Sequence, residues 1–252
     1  MSSTSPETPP SSAGEAAPGG KDVIVAVTVT IGLIVIILLA AIAIHPPGMN
    51  AGDRPVDRLA LTASLLALQN AALLAGVAVA ARGRPLTQLL GLRGLSLRQW
   101  LLAFAAGLVI GPVLSFGIAL LQSLLGQPPH TPGISLLAPA GFSWTAFAVM
   151  LLLGGIVAPI AEETLFRGML FGWLRRRMRI WLAALLSAIP FGIAHIQPEH
   201  VLYATAVGFL LALLYQRFRS LWASIAAHMA INLLAISYVY YALAQGVPLS
   251  KI

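Results

Sequence analysis

Between Val23 and Leu243 the chain is a succession of apolar runs separated by short polar loops, a pattern that only a lipid bilayer accommodates. Runs of spanning length occupy Val23–Ile44, Leu59–Ala81, Trp100–Leu125 and Trp144 to about Trp173. Shorter ones follow at about Ile180–Ile196 and Val201–Tyr215, and a last one at Leu221–Leu243. The expected fold is all-α: a polytopic transmembrane helix bundle of about seven spans, with the fifth and sixth short. Around Gln197-Pro198-Glu199-His200 those two are expected to turn inside the bundle.

Of 252 residues, 58% are hydrophobic and 9% charged, where a soluble domain carries about 25% charged residues. A net charge of +7 would suggest nucleic acid as a partner of a soluble protein. Here the arginines cluster in short loops, and nucleic acid is not an expected partner. With no cysteine, disulfides, a thiol nucleophile and a thiolate metal site are excluded. Residues 1–22, rich in Ser, Pro, Gly, Ala and Glu, read as a disordered polar tail, and 23–252 as the transmembrane domain. The tail lacks the basic segment of a secretory signal, so the first run reads as a retained helix.

The loop after the second run carries Arg82, Arg84, Arg93 and Arg98. The loop after the fourth carries Arg175, Arg176, Arg177 and Arg179, and that after the sixth Arg217 and Arg219. The loop after the first has Arg54 and Arg58 alone. The positive-inside rule then makes the even loops cytoplasmic and the N-terminus cytoplasmic, in what reads as a prokaryotic plasma membrane.

Into this apolar frame the sequence inserts Glu162-Glu163-Thr164-Leu165-Phe166-Arg167. Charges at bilayer depth cost roughly 2.5–3.5 kcal/mol each on insertion scales and mark function by default. His195, His228 and Asn232 are the other strongly polar groups at depth. At ~1.5 Å rise per residue, Glu162 lies ~20 Å inward from the arginine boundary. His195 lies ~24 Å inward, and His228 and Asn232 ~14 and ~20 Å. Three helices thus bring their polar side chains to a similar level near the midplane.

Helical periodicity sorts them. Glu163 and Arg167 lie on one face and can form an ion pair, while Glu162 points about 100° away and is left to face a cavity. His228 and Asn232 share a face of the last helix, and Phe191 shares one with His195 and can wall a pocket beside the imidazole. Pro159 and Pro190 precede the polar groups by about one turn and are expected to free carbonyls near Gly155 and Leu186. Gly154 and Gly155 allow close helix approach at the same level. His45 and His130 read as solvated loop residues, and His200 as ambiguous. Tyr238, Tyr240 and Tyr241 read as interfacial anchors.

These residues form a recognisable set. Glu162-Glu163-Thr164-Leu165-Phe166-Arg167, Phe191-Gly192-Ile193-Ala194-His195 and His228-Met229-Ala230-Ile231-Asn232 resemble, complete and in order, the motifs of the CAAX protease and bacteriocin-processing family. That family contains the type II CAAX prenyl endopeptidases and bacterial intramembrane proteases. The resemblance covers about residues 145–240 and implies an endopeptidase acting on peptide or lipidated protein substrates among membrane lipids. It implies that Glu162 activates water with help from His195, that His228 and Asn232 stabilise the oxyanion, and that Glu163 and Arg167 are structural. The family is often labelled metalloprotease, so Zn2+ held by His195, His228 and Glu162 is an open alternative, although no His-Glu-x-x-His occurs and Asn is a poor zinc ligand. Rival functions are a proton- or ion-coupled transporter, against which no helical repeat is visible, and a catalytically silent immunity or scaffold protein.

Overall fold

A computed structural model of the chain describes residues 17–44, 55–126, 137–196 and 198–249, and among these no β-strand occurs. The helices are α1 (Gly20–Ile44), α2 (Pro55–Ala81), the short α3 (Leu86–Leu89), α4 (Leu97–Leu124), α5 (Trp144–Leu174), α6 (Ile180–Ile193), α7 (Pro198–Phe218) and α8 (Leu221–Ala244). Six of them are long and apolar enough to cross a bilayer; α6 is apolar but shorter. Helix satisfies every backbone group internally, which lipid demands. The protein is therefore a polytopic membrane bundle, as its hydropathy pattern requires.

Three boundaries depart from the sequence reading. Helix α1 starts at Gly20, inside the segment expected as tail; residues 1–16, like His45 and His130, lie outside the described residues. The sixth run is not short. Proline at the first helical position is pre-organised for helix, and α7 continues past Tyr215 to Phe218, giving 21 residues. The fifth run is shorter than expected. Helix α6 ends at Ile193 after 14 residues, or ~21 Å, against a hydrocarbon core of ~30 Å. His195 consequently sits in the turn beyond the helix, at bilayer depth. At its tip Ile196 has φ +63° and is 84% exposed, an apolar side chain offered to lipid.

Helices α5 and α8 form the centre. Helix α5 packs against α1, α2, α6, α7 and α8, and α8 also against α4 and α7. The outer helices turn apolar side chains outward, among them Ile36 and Leu39 of α1 and Val113 and Phe116 of α4. In water such faces would mark an interface; around a membrane bundle they contact lipid. The ends are fixed by caps where sequence provides them. Ser96 and Gln99 form a reciprocal capping box on α4, and Ser143 accepts from Ala146 N at the start of α5.

Helix α5 is not uniform. Its hydrogen bonding widens to a π-helical pattern at Leu153–Val157 and again at Thr164–Phe171, leaving Ala158–Glu163 as an α-helical segment between them. Such bulges are frequent at functional sites because they re-aim side chains without ending the helix. Both acidic residues fall in the segment they bracket.

Candidate active site

Glu163 and Arg167 are both fully buried and paired, with Nη1 donating to Oε1 at 2.8 Å. The pair alone does not account for the carboxylate. His228 Nδ1 lies 2.9 Å from the same Oε1, and Ser224 Oγ donates to Oε2. A carboxylate only accepts, so the His228 proton in this contact is on Nδ1 and the ring turns Nε2 the other way. Nε2 faces the neighbouring acid, 3.8 Å from Glu162 Oε2. That Oε2 is buried and has no hydrogen-bond partner among the described residues. Two adjacent carboxylates thus have opposite surroundings: Glu163 is saturated by donors, and Glu162 is open.

Phe191 organises the space between the histidines. Its ring centroid is 4.9 Å from that of His195 and 5.8 Å from that of His228, and the Arg167 guanidinium lies 4.1 Å above its face. His195 Nδ1 is 2.9 Å from the Phe191 carbonyl. A carbonyl also only accepts, so the proton in this contact is on Nδ1 as well, and His195 Nε2 is turned away from the carbonyl. The His200 ring lies 5.0 Å from that of His195, which brings that residue to the rim of the cluster.

Asn232 donates from Nδ2 to the carbonyl of Gly154 at 2.9 Å. The freed carbonyl was expected near Gly155, one α-helical hydrogen bond before Pro159. Within a π-helical turn the partner shifts by one residue, so the carbonyl that faces the missing proline N–H is Gly154. Asn232 supplies the donor that proline lacks. Close approach at this level is real: a Cβ on Gly155 would stand 2.7 Å from Leu233 Cδ2 of α8.

Three contributors escaped the sequence reading. Ser224 precedes His228 by one turn on α8, and the spacing Ser224, His228, Asn232 was the available signal. Gly208 of α7 makes room for Arg167, since a Cβ there would meet Nη2 at 2.6 Å and Phe191 Cδ1 at 2.9 Å. Gly208→Leu is therefore expected to lower the melting temperature by an overpacking cost of about 1–3 kcal/mol, with Gly208→Ala intermediate in a detergent thermal melt. Asn70 of α2 is 1% exposed and neither of its amide atoms is bonded among the described residues. Leu66, one turn before it, approaches the Cβ position of Gly154 to 4.0 Å, so Asn70 lies at the depth of the Pro159 turn.

A catalytic zinc needs three protein ligands and an open position. Among the described residues no three His, Asp or Glu side chains gather closely enough to hold an ion. Asn232, beside His228, is engaged with Gly154. Glu162, His195 and His228 as arranged do not fit a zinc site.

Residues 143–234 match the family described as type II CAAX prenyl endopeptidase Rce1-like. A Bacillus subtilis protein described as "putative membrane peptidase YdiL" is 40% identical over 87 residues, which are 34% of this chain and 36% of that protein. The chain thus spans about a third of that relative's length. No solved structure matches. The similarity to this family of membrane peptidases lies on the segment that holds the glutamates, histidines and asparagine of the cluster.

Proposed function

We propose that this protein is an intramembrane endopeptidase that hydrolyses peptide bonds of membrane-associated or lipidated substrates, using Glu162 as general base. The observation that carries the proposal is the contrast between the two glutamates. Glu163 is committed to Arg167, Ser224 and His228, while Glu162 keeps an unbonded buried oxygen beside the free edge of His228. The family and the printed name of the relative support a peptidase.

The chemistry follows from the atoms. The 3.8 Å between Glu162 Oε2 and His228 Nε2 exceeds a hydrogen bond and leaves a place that one water can bridge. Glu162 takes a proton from that water as its oxygen attacks the scissile carbonyl carbon. His195, with its proton fixed on Nδ1, accepts the water's other proton in a hydrogen bond at Nε2 and orients it. The carbonyl becomes an oxyanion, stabilised by the second N–H of Asn232 and by His228 as an imidazolium, whose Nδ1–H stays on Glu163 while its Nε2–H faces the oxyanion. Glu162 then passes its proton to the amide nitrogen and the C–N bond breaks; the hydroxyl proton left on the new carboxyl group passes to the freed amine, so that a carboxylate and an ammonium group leave. Glu163 fixes the His228 ring from behind. The arginine distribution supports an orientation with the N-terminus cytoplasmic.

If Asn232 acts as an oxyanion donor, Asn232→Ala lowers turnover by ~10²–10³ with little change in KM, because the interaction exists mainly in the transition state. Steady-state kinetics on a cleaved membrane peptide check this. In the same assay chelators leave activity intact. Near one zinc per chain in active protein, removed by His228→Ala, would make the histidines ligands and overturn the donor role.

A further inference from the structure

At the end of the bundle opposite Ile196, a cavity of about 640 Å³ opens between the loop that follows α2, the C-terminus of α5 and the α7–α8 turn. Arg93, Arg175, Arg176 and Arg219 line it, and among the described residues its lining contains no Asp or Glu. Topology explains why arginines lie at this end, but it does not explain why they ring a cavity.

The walls are built. Arg175 donates to Gln216 Oε1 at 3.2 Å and to Tyr215 OH at 3.3 Å, and its guanidinium lies 4.6 Å over the Tyr215 ring. Tyr215 OH donates to Leu90 O at 2.9 Å, pinning the α3 loop onto α7. Gly91 sits against that hydroxyl with φ +66°, where a Cβ would come within 2.5 Å of the tyrosine oxygen. Leu221 N donates to Gly91 O at 3.0 Å and ties the same loop to α8. Arg175 is thereby held half-buried in a fixed orientation, while Arg176 and Arg219 are exposed at the rim.

We propose that this cavity binds the phosphate group of an anionic phospholipid from the adjoining leaflet. Guanidinium groups suit phosphate by planar, paired N–H donation, and basic pockets between helix ends on the cytoplasmic side suit lipid headgroups. The position decides for lipid over soluble phosphate. The cavity lies where the apolar spans of α5 and α7 end, with Leu89, Leu92 and Pro18 in its walls to meet the glycerol end of the lipid.

The test melts the full chain in neutral detergent with phosphatidylglycerol, phosphatidylcholine or inorganic phosphate added. Ligand binding to the native state raises the melting temperature with concentration. Phosphatidylglycerol is expected to raise it by several degrees more than phosphatidylcholine does. Arg176→Gln with Arg219→Gln is expected to lose that difference. Arg82→Gln with Arg98→Gln, which removes equal charge outside the cavity, is expected to keep it. Equal shifts by the two lipids, or equal loss in the two double variants, would show charge attraction without a site and overturn the proposal. A full shift from inorganic phosphate alone would overturn the lipid as occupant.

Discussion

Glu162→Gln is expected to leave a folded protein that no longer cleaves peptide bonds. Glutamine matches the size of the side chain and can occupy the same place opposite His228, but it cannot take a proton from water. Glu162 Oε2 has no hydrogen-bond partner among the described residues, so its removal strands no donor, and the buried Arg167 keeps its direct partner Glu163. The melting temperature should stay within the usual range of a surface substitution, about ±0.5 kcal/mol in stability. Activity should fall to background. Cleavage of a labelled transmembrane peptide, measured beside a thermal melt of the same preparation, separates the two effects. A variant that melts normally and cleaves at the parental rate would remove Glu162 from the chemistry.

Arg167→Ala is expected to fail in the opposite way, through folding. Arg167 and Glu163 are both fully buried, and breaking a buried pair by removing one partner costs on the order of 3–5 kcal/mol. Glu163 would keep Ser224 and His228, which favours the lower end of that range. The Phe191 face would lose its cation, and a space would open beside Gly208. The yield of folded protein in detergent and its melting temperature should both drop. An Arg167→Ala variant that melts like the parent and differs only in activity would move Arg167 from support into the chemistry.

The contrast between these variants shows what the sequence could reveal. The Glu163–Arg167 pair was legible, because a spacing of four residues within one helix brings the two together; Phe191 and His195, also four apart, meet although His195 lies in the turn beyond α6. The bundle was legible because lipid leaves so few choices of backbone. The agreement in depth of Glu162, His195, His228 and Asn232 was legible as well, from rise per residue alone.

What joins α5 to α8 was not. The bond from His228 to Glu163 spans 65 positions in the chain and depends on how two helices are rotated against each other. The sequence separated a structural Glu163–Arg167 pair from a catalytic His228–Asn232 pair, and the fold connects them through that bond. The shift of the open carbonyl from Gly155 to Gly154 depends on a π-helical turn, which no local residue pattern announced. The role of Gly208 depends on a neighbour in α5 that its own helix does not reveal.

The central claim is that Glu162 drives water onto a peptide bond inside the bilayer. It is tested most directly by reconstituting the protein in liposomes with transmembrane and lipidated peptides in water enriched in oxygen-18, and reading the products by mass spectrometry. The account predicts cleavage products whose new C-terminal carboxylate carries a single solvent oxygen, formed by the parent and absent with Glu162→Gln. The same labelled products from Glu162→Gln at the parental rate, or no cleavage of any peptide by folded parent protein, would contradict it.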